Sequence, residues 1–313
     1  MSVRLICNGY FRSGTSIVWK ILRESNPDCL VFYEPCHERL FIQLERFNNG
    51  RKTDSLHRMS LWDEYFKKEG FIDSLRFTHP NVGSPFPESA RDLLEYVKVF
   101  DALQEDTVLQ VNRWHFYLGD LSKHFSASVM HIIRNPVDIF ESFHSNYPQG
   151  RNPIIIFVKK SLSAVFFARA FSQKGWFRTV YERFGKPSFL TDKLKYAVFQ
   201  YTRPFDVFFV VWVLTNAAAI RSLGKRDLLM VHECLLRRPG YYQSRIKDLF
   251  GLGFAYGPLL KKDGMRVEFM EEAEFLKLRE KAEELGMLVE FEFVVNSIRN
   301  CEQEAGAWEK NFA

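Results

Sequence analysis

The first sixteen residues constrain the fold more than any other part of the chain. Val3-Arg4-Leu5-Ile6-Cys7 is a short apolar run that reads as a buried strand. It leads directly into Asn8-Gly9-Tyr10-Phe11-Arg12-Ser13-Gly14-Thr15-Ser16, whose glycines and hydroxyls read as a turn into a helix. Gly9, four residues, Gly14 and then Thr15-Ser16 make a P-loop frame with one change, because Thr15 stands where the pattern has lysine. A cation, Arg12, lies two residues before Gly14 instead. Such a turn lets backbone N–H groups converge on an anion, and the helix that follows adds its unpaired N–H groups and the positive end of its dipole. Arg12 and the hydroxyls of Ser13, Thr15 and Ser16 supply further donors. The missing lysine argues against nucleoside-triphosphate chemistry, where that residue reaches the β- and γ-phosphates. The same residue types would also build an ordinary βα turn capped by a hydroxyl.

Short apolar runs recur at Cys29–Tyr33, Thr107–Val111, Ser128–Ile133 and Asp227–His232, with helical patterns between them. This alternation predicts an α/β fold of three layers, P-loop-like, with a central, mostly parallel sheet flanked by helices. Ligands on such sheets bind beyond the carboxyl ends of the strands. Glu34, Arg113, His115, Arg134 and Glu233 each fall just after a predicted strand, so they are expected at the same edge as the opening turn. Residues 38 to 105 look helical in places, and Pro80, Pro85 and Pro87 suggest a loop or lid. The charged stretch from about 268 to 285 reads as a solvated C-terminal helix.

Composition excludes some classes. Net charge is +5, too small for whole-molecule nucleic-acid binding, yet the segment from Arg151 to Arg203 holds 11 Lys and Arg against two acids, Glu182 and Asp192. That segment is either a solvated basic face or a surface for an anionic partner. Aromatic residues reach 16%, with 31 Phe, enough to line an acceptor cleft as well as a core. The cysteines (Cys7, Cys29, Cys36, Cys234, Cys301) show no metal spacing or paired framework, which suits a reducing compartment. No metal is expected. The first strand starts at residue 3 and leaves no room for a signal peptide, and the apolar stretch Phe205–Ile220 carries Asp206, Thr215 and Asn216, so it reads as a buried helix. A cytoplasmic protein without a membrane span is the expectation.

A second constellation is Ile133-Arg134-Asn135-Pro136, with Ser142 eight residues after the arginine. Pro136 sits comfortably at a helix start, and Arg134 with Ser142 offers a second anion site. By itself this would be a capped helix with a salt-bridged arginine. Together with the opening turn, the chain resembles the sulfotransferases that use 3′-phosphoadenosine 5′-phosphosulfate (PAPS). Phe11–Ser16 is similar to the family's 5′-phosphosulfate loop, and Ile133–Pro136 with Ser142 to its 3′-phosphate motif. Val31-Phe32-Tyr33-Glu34-Pro35, the pair Trp212 and Asn216, and Leu229–Leu236 resemble the carbohydrate-modifying branch most. His232-Glu233-Cys234 departs from that branch's Tyr-Glu-Asp. The resemblance covers most of residues 3–255.

The resemblance implies one domain over 1–313, with acceptor-facing or lid insertions at about 38–105 and 144–203 and a C-terminal helical extension at about 266–313. It implies transfer of a sulfuryl group from PAPS to a hydroxyl or amine of a glycan, lipid or small molecule. Arg12, Ser13, Gly14, Thr15, Ser16, Arg134 and Ser142 would hold the donor. Two residues compete for the acceptor's proton: Glu34, at the Glu-Pro position, and His115, in Arg113-Trp114-His115. His37 lies near enough to Glu34 to assist, and Arg113 is a candidate for steadying the transferring group. A P-loop kinase with Glu233 on a metal, and a nucleotide-binding protein without turnover, are the alternatives.

Overall fold

A computed structural model describes residues 2–37, 39–50, 60–79, 90–145, 204–256 and 266–312. Five strands form one sheet: β1 (Val3–Gly9), β2 (Leu30–Tyr33), β3 (Thr107–Val111), β4 (Ser128–Ile133) and β5 (Leu228–Val231), in the order β2-β3-β1-β4-β5. Every neighbouring pair is parallel. Both faces are covered, so nearly every strand residue is buried, as continuous apolar runs require.

The helices are α1 (Thr15–Ser25), α2 (Leu40–Asn48), α3 (Phe71–Thr78), α4 (Ala90–Asp101), α5 (Leu118–Phe125), α6 (Pro136–Ser145), α7 (Pro204–Ser222), α8 (His232–Arg237), α9 (Pro239–Phe250), α10 (Glu272–Glu284) and α11 (Leu288–Phe312). A 3-10 turn covers Asp63–Phe66. The α/β layering expected from the sequence is the one observed. In α1 the buried residues Thr15, Val18, Trp19 and Leu22 fall on one face at helical spacing. Trp19 fastens that face to the sheet through its indole N–H, which donates to the Val31 carbonyl at 2.8 Å.

Register places the site. Asn8 lies level with Val111 and His131, Tyr33 with Gln110, and Ile133 with Val231. The chain therefore leaves all five strands along one edge, and the residues that follow them meet there.

Within 38–105, α3 and α4 bury Phe71, Leu75, Leu93, Tyr96, Val97 and Phe100, and Phe32 of β2 packs edge-on to Phe100 at 5.0 Å. The three prolines there and the basic stretch 151–203 lie outside the described residues. α7 is buried along its middle, from Phe208 to Leu214, as its apolar sequence predicts. Among the described residues, no helix is long and apolar enough to cross a membrane. At the C-terminus, α10 is largely exposed and buries only Leu278 and Ala282. The helix after it, α11, joins the core against α7 and β5 through Phe291, Val294, Val295, Ile298, Cys301 and Ala305. The i, i+3, i+4 spacing of those residues is that of an amphipathic helix.

If α11 is structural core, Ile298→Ala will cost about 2–5 kcal/mol in urea unfolding, whereas Leu276→Ala on exposed α10 will stay within about 0.5 kcal/mol.

Candidate active site

The opening turn closes with Ser13 N–H donating to the Tyr10 carbonyl at 3.1 Å, and Gly14 stands as the N-cap of α1. Arg12 and Gly14 both have left-handed backbone, with φ of 67° and 96°. Two left-handed residues so close together coil the loop tightly and turn its N–H groups inward. For Arg12 that conformation costs on the order of 1 kcal/mol. A Cβ on Gly14 would lie 2.5 Å from His232 Nδ1, and one on Gly9 would lie 2.8 Å from the Ile132 carbonyl. Both glycines are therefore set by close approach. No side chain caps α1. Thr15 instead donates to Asn112 Oδ1 at 3.2 Å, and the Ser16 hydroxyl pairs with that of Tyr33 at 2.9 Å. Ser13 Oγ is buried with no partner among the described residues. The turn is thus not a hydroxyl-capped one: Ile17 N–H is taken by the Gly14 carbonyl at 3.1 Å, and no side chain of the described residues caps the helix.

The two sequence motifs meet. Arg12 Nε donates to Ser142 Oγ at 3.1 Å, and Arg134 Nη1 donates to the Arg12 carbonyl at 3.1 Å. Ser142, expected beside Arg134, thus engages the loop arginine directly. Burial, and then the neighbouring Arg134, lower the Arg12 pKa from its ordinary value. Arg134 Nη2 lies 3.7 Å from Asp138, and Arg134 Nε is buried with no partner among the described residues. Behind them, Asn135 Oδ1 accepts from Val137 N–H at 2.8 Å and starts α6, while Asn135 N–H donates to Glu233 at 3.0 Å. Burial pushes Glu233 up to about 8, so this carboxyl is held inside the fold and not presented to a ligand.

Glu34 ends β2 with φ of 40°, its N–H on the Gln110 carbonyl and its Oε1 receiving the Asn112 amide. It is half-buried at the same edge. The surroundings of His115 do not support its competing for the acceptor's proton. It is fully buried, with Nε2 on the Asn112 carbonyl at 3.0 Å and Nδ1 on the Asn8 amide at 2.9 Å. Arg113 is buried too, donating to the Cys36 carbonyl at 2.7 Å beneath Phe11. His37 Nδ1 accepts from Arg39 N–H, and burial with three nearby basic side chains lowers it to about 4. The sequence reading did not single out Asn8, Gln110, Asn112 or His131. Their signal is a polar residue in or just after an otherwise apolar strand, which in a sheet buried on both faces demands a partner.

No protein-family model matches the chain. A protein of Archaeoglobus fulgidus, described only as uncharacterized, is 27% identical over 303 residues, spanning 88% of this chain and 95% of its own length. Solved structures that resemble the chain include the sulfotransferase domain of the Synechococcus PCC 7002 olefin synthase (13% identity, 95% of this chain and 94% of that one, TM-score 0.39). The sulfotransferase domain from the curacin biosynthetic pathway matches at 11% identity, 96% and 98% coverage and a TM-score of 0.42. A sulfotransferase from Alicyclobacillus acidocaldarius matches at 15% identity, 92% and 94% coverage and 0.38. At these scores the likeness assigns neither activity nor substrate.

Gly14→Ala adds a methyl group where His232 already stands, on left-handed backbone. It will lose anion binding and at least about 1–3 kcal/mol of stability, measurable by calorimetry and urea unfolding. Stability will also depend on pH. Burial holds His115 and His232 at about 3 and His131 at about 4, below the usual 6.5, and raises Glu233 from 4.5 to about 8. Between about pH 4.5 and 6.5 the unfolded chain binds protons on these three histidines and on His37, itself held at about 4, that the native state refuses, and it lacks the one that native Glu233 keeps. The histidine excess outweighs the one Glu233 proton, so stability falls on acidification through this window. Above about pH 7 the Glu233 contribution dominates and stability falls again as pH rises, so urea midpoints will peak near neutrality.

Proposed function

We propose that the chain is a PAPS-dependent sulfotransferase that moves a sulfuryl group to a hydroxyl or amine of a glycan, lipid or small-molecule acceptor. The observation that carries this is the joining of the two anion motifs through Arg12, Ser142 and Arg134. A donor with an anionic group at each end needs two cationic positions at a fixed separation, and this pair supplies them on rigid strand ends. The orphaned Ser13 Oγ and Arg134 Nε add unsatisfied donors beside the same loop. The five free thiols suit a cytoplasmic site of action.

In this reading the uncapped start of α1, Arg12 and Ser13 take the phosphosulfate end, and Arg134 takes the 3′-phosphate. The donor supplies the activated sulfuryl group. Glu34 receives the acceptor's proton while the acceptor oxygen bonds to sulfur and the bridging S–O bond breaks toward the phosphate. Arg12 and the loop N–H groups stabilise the charge that grows on that leaving oxygen. Asn112 orients the Glu34 carboxylate through its amide. The base is assigned to Glu34 over His115 because both ring nitrogens of His115 are engaged.

Adenosine 3′,5′-bisphosphate will raise Tm without Mg²⁺, by about 2.7 kcal/mol of stabilisation at one hundred times its Kd, and by more than ATP does. Arg12→Ala and Arg134→Ala will abolish that shift. Glu34→Gln will keep it and lower transfer by about 10²–10⁴-fold in a sulfate-release assay with PAPS. A larger shift with Mg·ATP would overturn the reading.

A further inference from the structure

Beneath the site runs a directional chain of buried hydrogen bonds, and its end points fix every proton in it. His115 Nε2 faces the Asn112 carbonyl at 3.0 Å, which can only accept, so Nε2 carries the hydrogen and Nδ1 is a lone pair. The Asn8 atom 2.9 Å from that Nδ1 must then be a donor, which sets the orientation of the Asn8 amide. Its other N–H donates to His131 Nδ1 at 3.0 Å. On the far side, Asn216 Nδ2 donates to the Trp212 carbonyl at 2.6 Å, so Asn216 Oδ1 accepts from His131 Nε2 at 2.9 Å. Both rings are thus Nε2–H tautomers, and burial keeps both uncharged at neutral pH. The chain continues at each end. The Asn112 side-chain amide holds Glu34, and the Trp212 indole N–H donates to the Arg134 carbonyl at 3.1 Å.

Resting on the reading of this edge as the transfer site, we propose that Asn8 is a positioning residue whose amide locks His115 and His131 in their Nε2–H tautomers and so sets the Glu34 arm of the site against the Arg134 arm. Asn8 sits on β1 between the strands that carry these arms, and among the described residues no other side chain donates to both rings. Its own Oδ1 is buried with no partner among the described residues, a cost that a purely structural core position would escape with an apolar side chain.

Asn8→Asp tests this at nearly constant volume, because a carboxylate has no hydrogen to give either ring. In long-range ¹H–¹⁵N spectra the wild type will show both rings as Nε2–H tautomers that do not titrate between about pH 5.5 and 8, and Asn8→Asp will convert at least one to imidazolium or Nδ1–H. The kcat for sulfuryl transfer will fall by about tenfold or more, with a smaller change in the acceptor's KM, because the loss is in alignment. Affinity for adenosine 3′,5′-bisphosphate will also fall. Ile298→Ala, destabilised but distant, will keep its kcat and so separates alignment from stability. If Asn8→Asp does not fold, Asn216→Asp removes the donor to the Trp212 carbonyl, leaves the His115 half in place, and will weaken bisphosphate binding by shifting Trp212, whose indole holds the Arg134 carbonyl. An Nδ1–H tautomer in the wild type overturns the proposal. So does an Asn8→Asp protein with altered tautomers but wild-type kcat and bisphosphate affinity. The spectra and the affinity do not use sulfuryl transfer, so a wild type inactive with PAPS counts against the proposed function while these two readouts still decide the role of Asn8.

Discussion

Two guanidinium groups share one small region at the carboxyl edge of the sheet, and the rest of the site depends on how they are held there. Arg12 and Arg134 repel each other, and that repulsion adds to the desolvation that lowers the Arg12 pKa. What holds them is a pair of hydrogen bonds, from Arg134 to the Arg12 carbonyl and from Arg12 to Ser142. Arg12 can offer its carbonyl and its side chain in these directions because its backbone is left-handed. Gly14 allows the same loop to lie against His232, where any other residue would collide. Two like charges kept together without a full complement of acids make a region of positive potential suited to an anion.

The second constraint is burial of polar groups. A sheet covered on both faces has little room for unpaired donors, yet Asn8, Gln110 and His131 stand inside the strands and Asn112, His115 and Asn216 close around them. Their hydrogen bonds run sideways across the strands. Thr15 and Gln110 both donate to Asn112 Oδ1, and Asn112 in turn donates to Glu34. Glu34 is therefore oriented by the same residues that fix the start of α1. Apart from Asn8 Oδ1, these buried amide and ring atoms meet partners of fixed role, so each amide and ring orientation is strongly determined.

Much of the layout was legible from local pattern. Apolar runs gave the strands, and Gly9, Gly14, Thr15 and Pro136 gave the turns and helix starts at the positions observed. Those signals depend on backbone sterics and on burial of short segments, both local properties. α11 was less legible because its apolar face is interleaved with Glu290, Glu292, Arg299 and Glu302, which blur the stripe. His115 shows the limit most clearly. Its place after a strand looks the same for a base and for a buried ring, and only its neighbours tell them apart.

The sequence by itself determined the parallel sheet, the glycine-bounded turn from β1 into α1 and the presence of a second cationic motif, since each follows from residue types within a few positions of one another. Only the tertiary structure decided that Ser142 reaches Arg12, that Asn8 stands between two histidines, and that Glu34, not His115, faces the edge of the sheet. These outcomes depend on strand order and register, which bring together residues more than a hundred positions apart. No local pattern encodes that pairing, because the hydrogen-bond partner of a buried amide is chosen by which strand lies beside it.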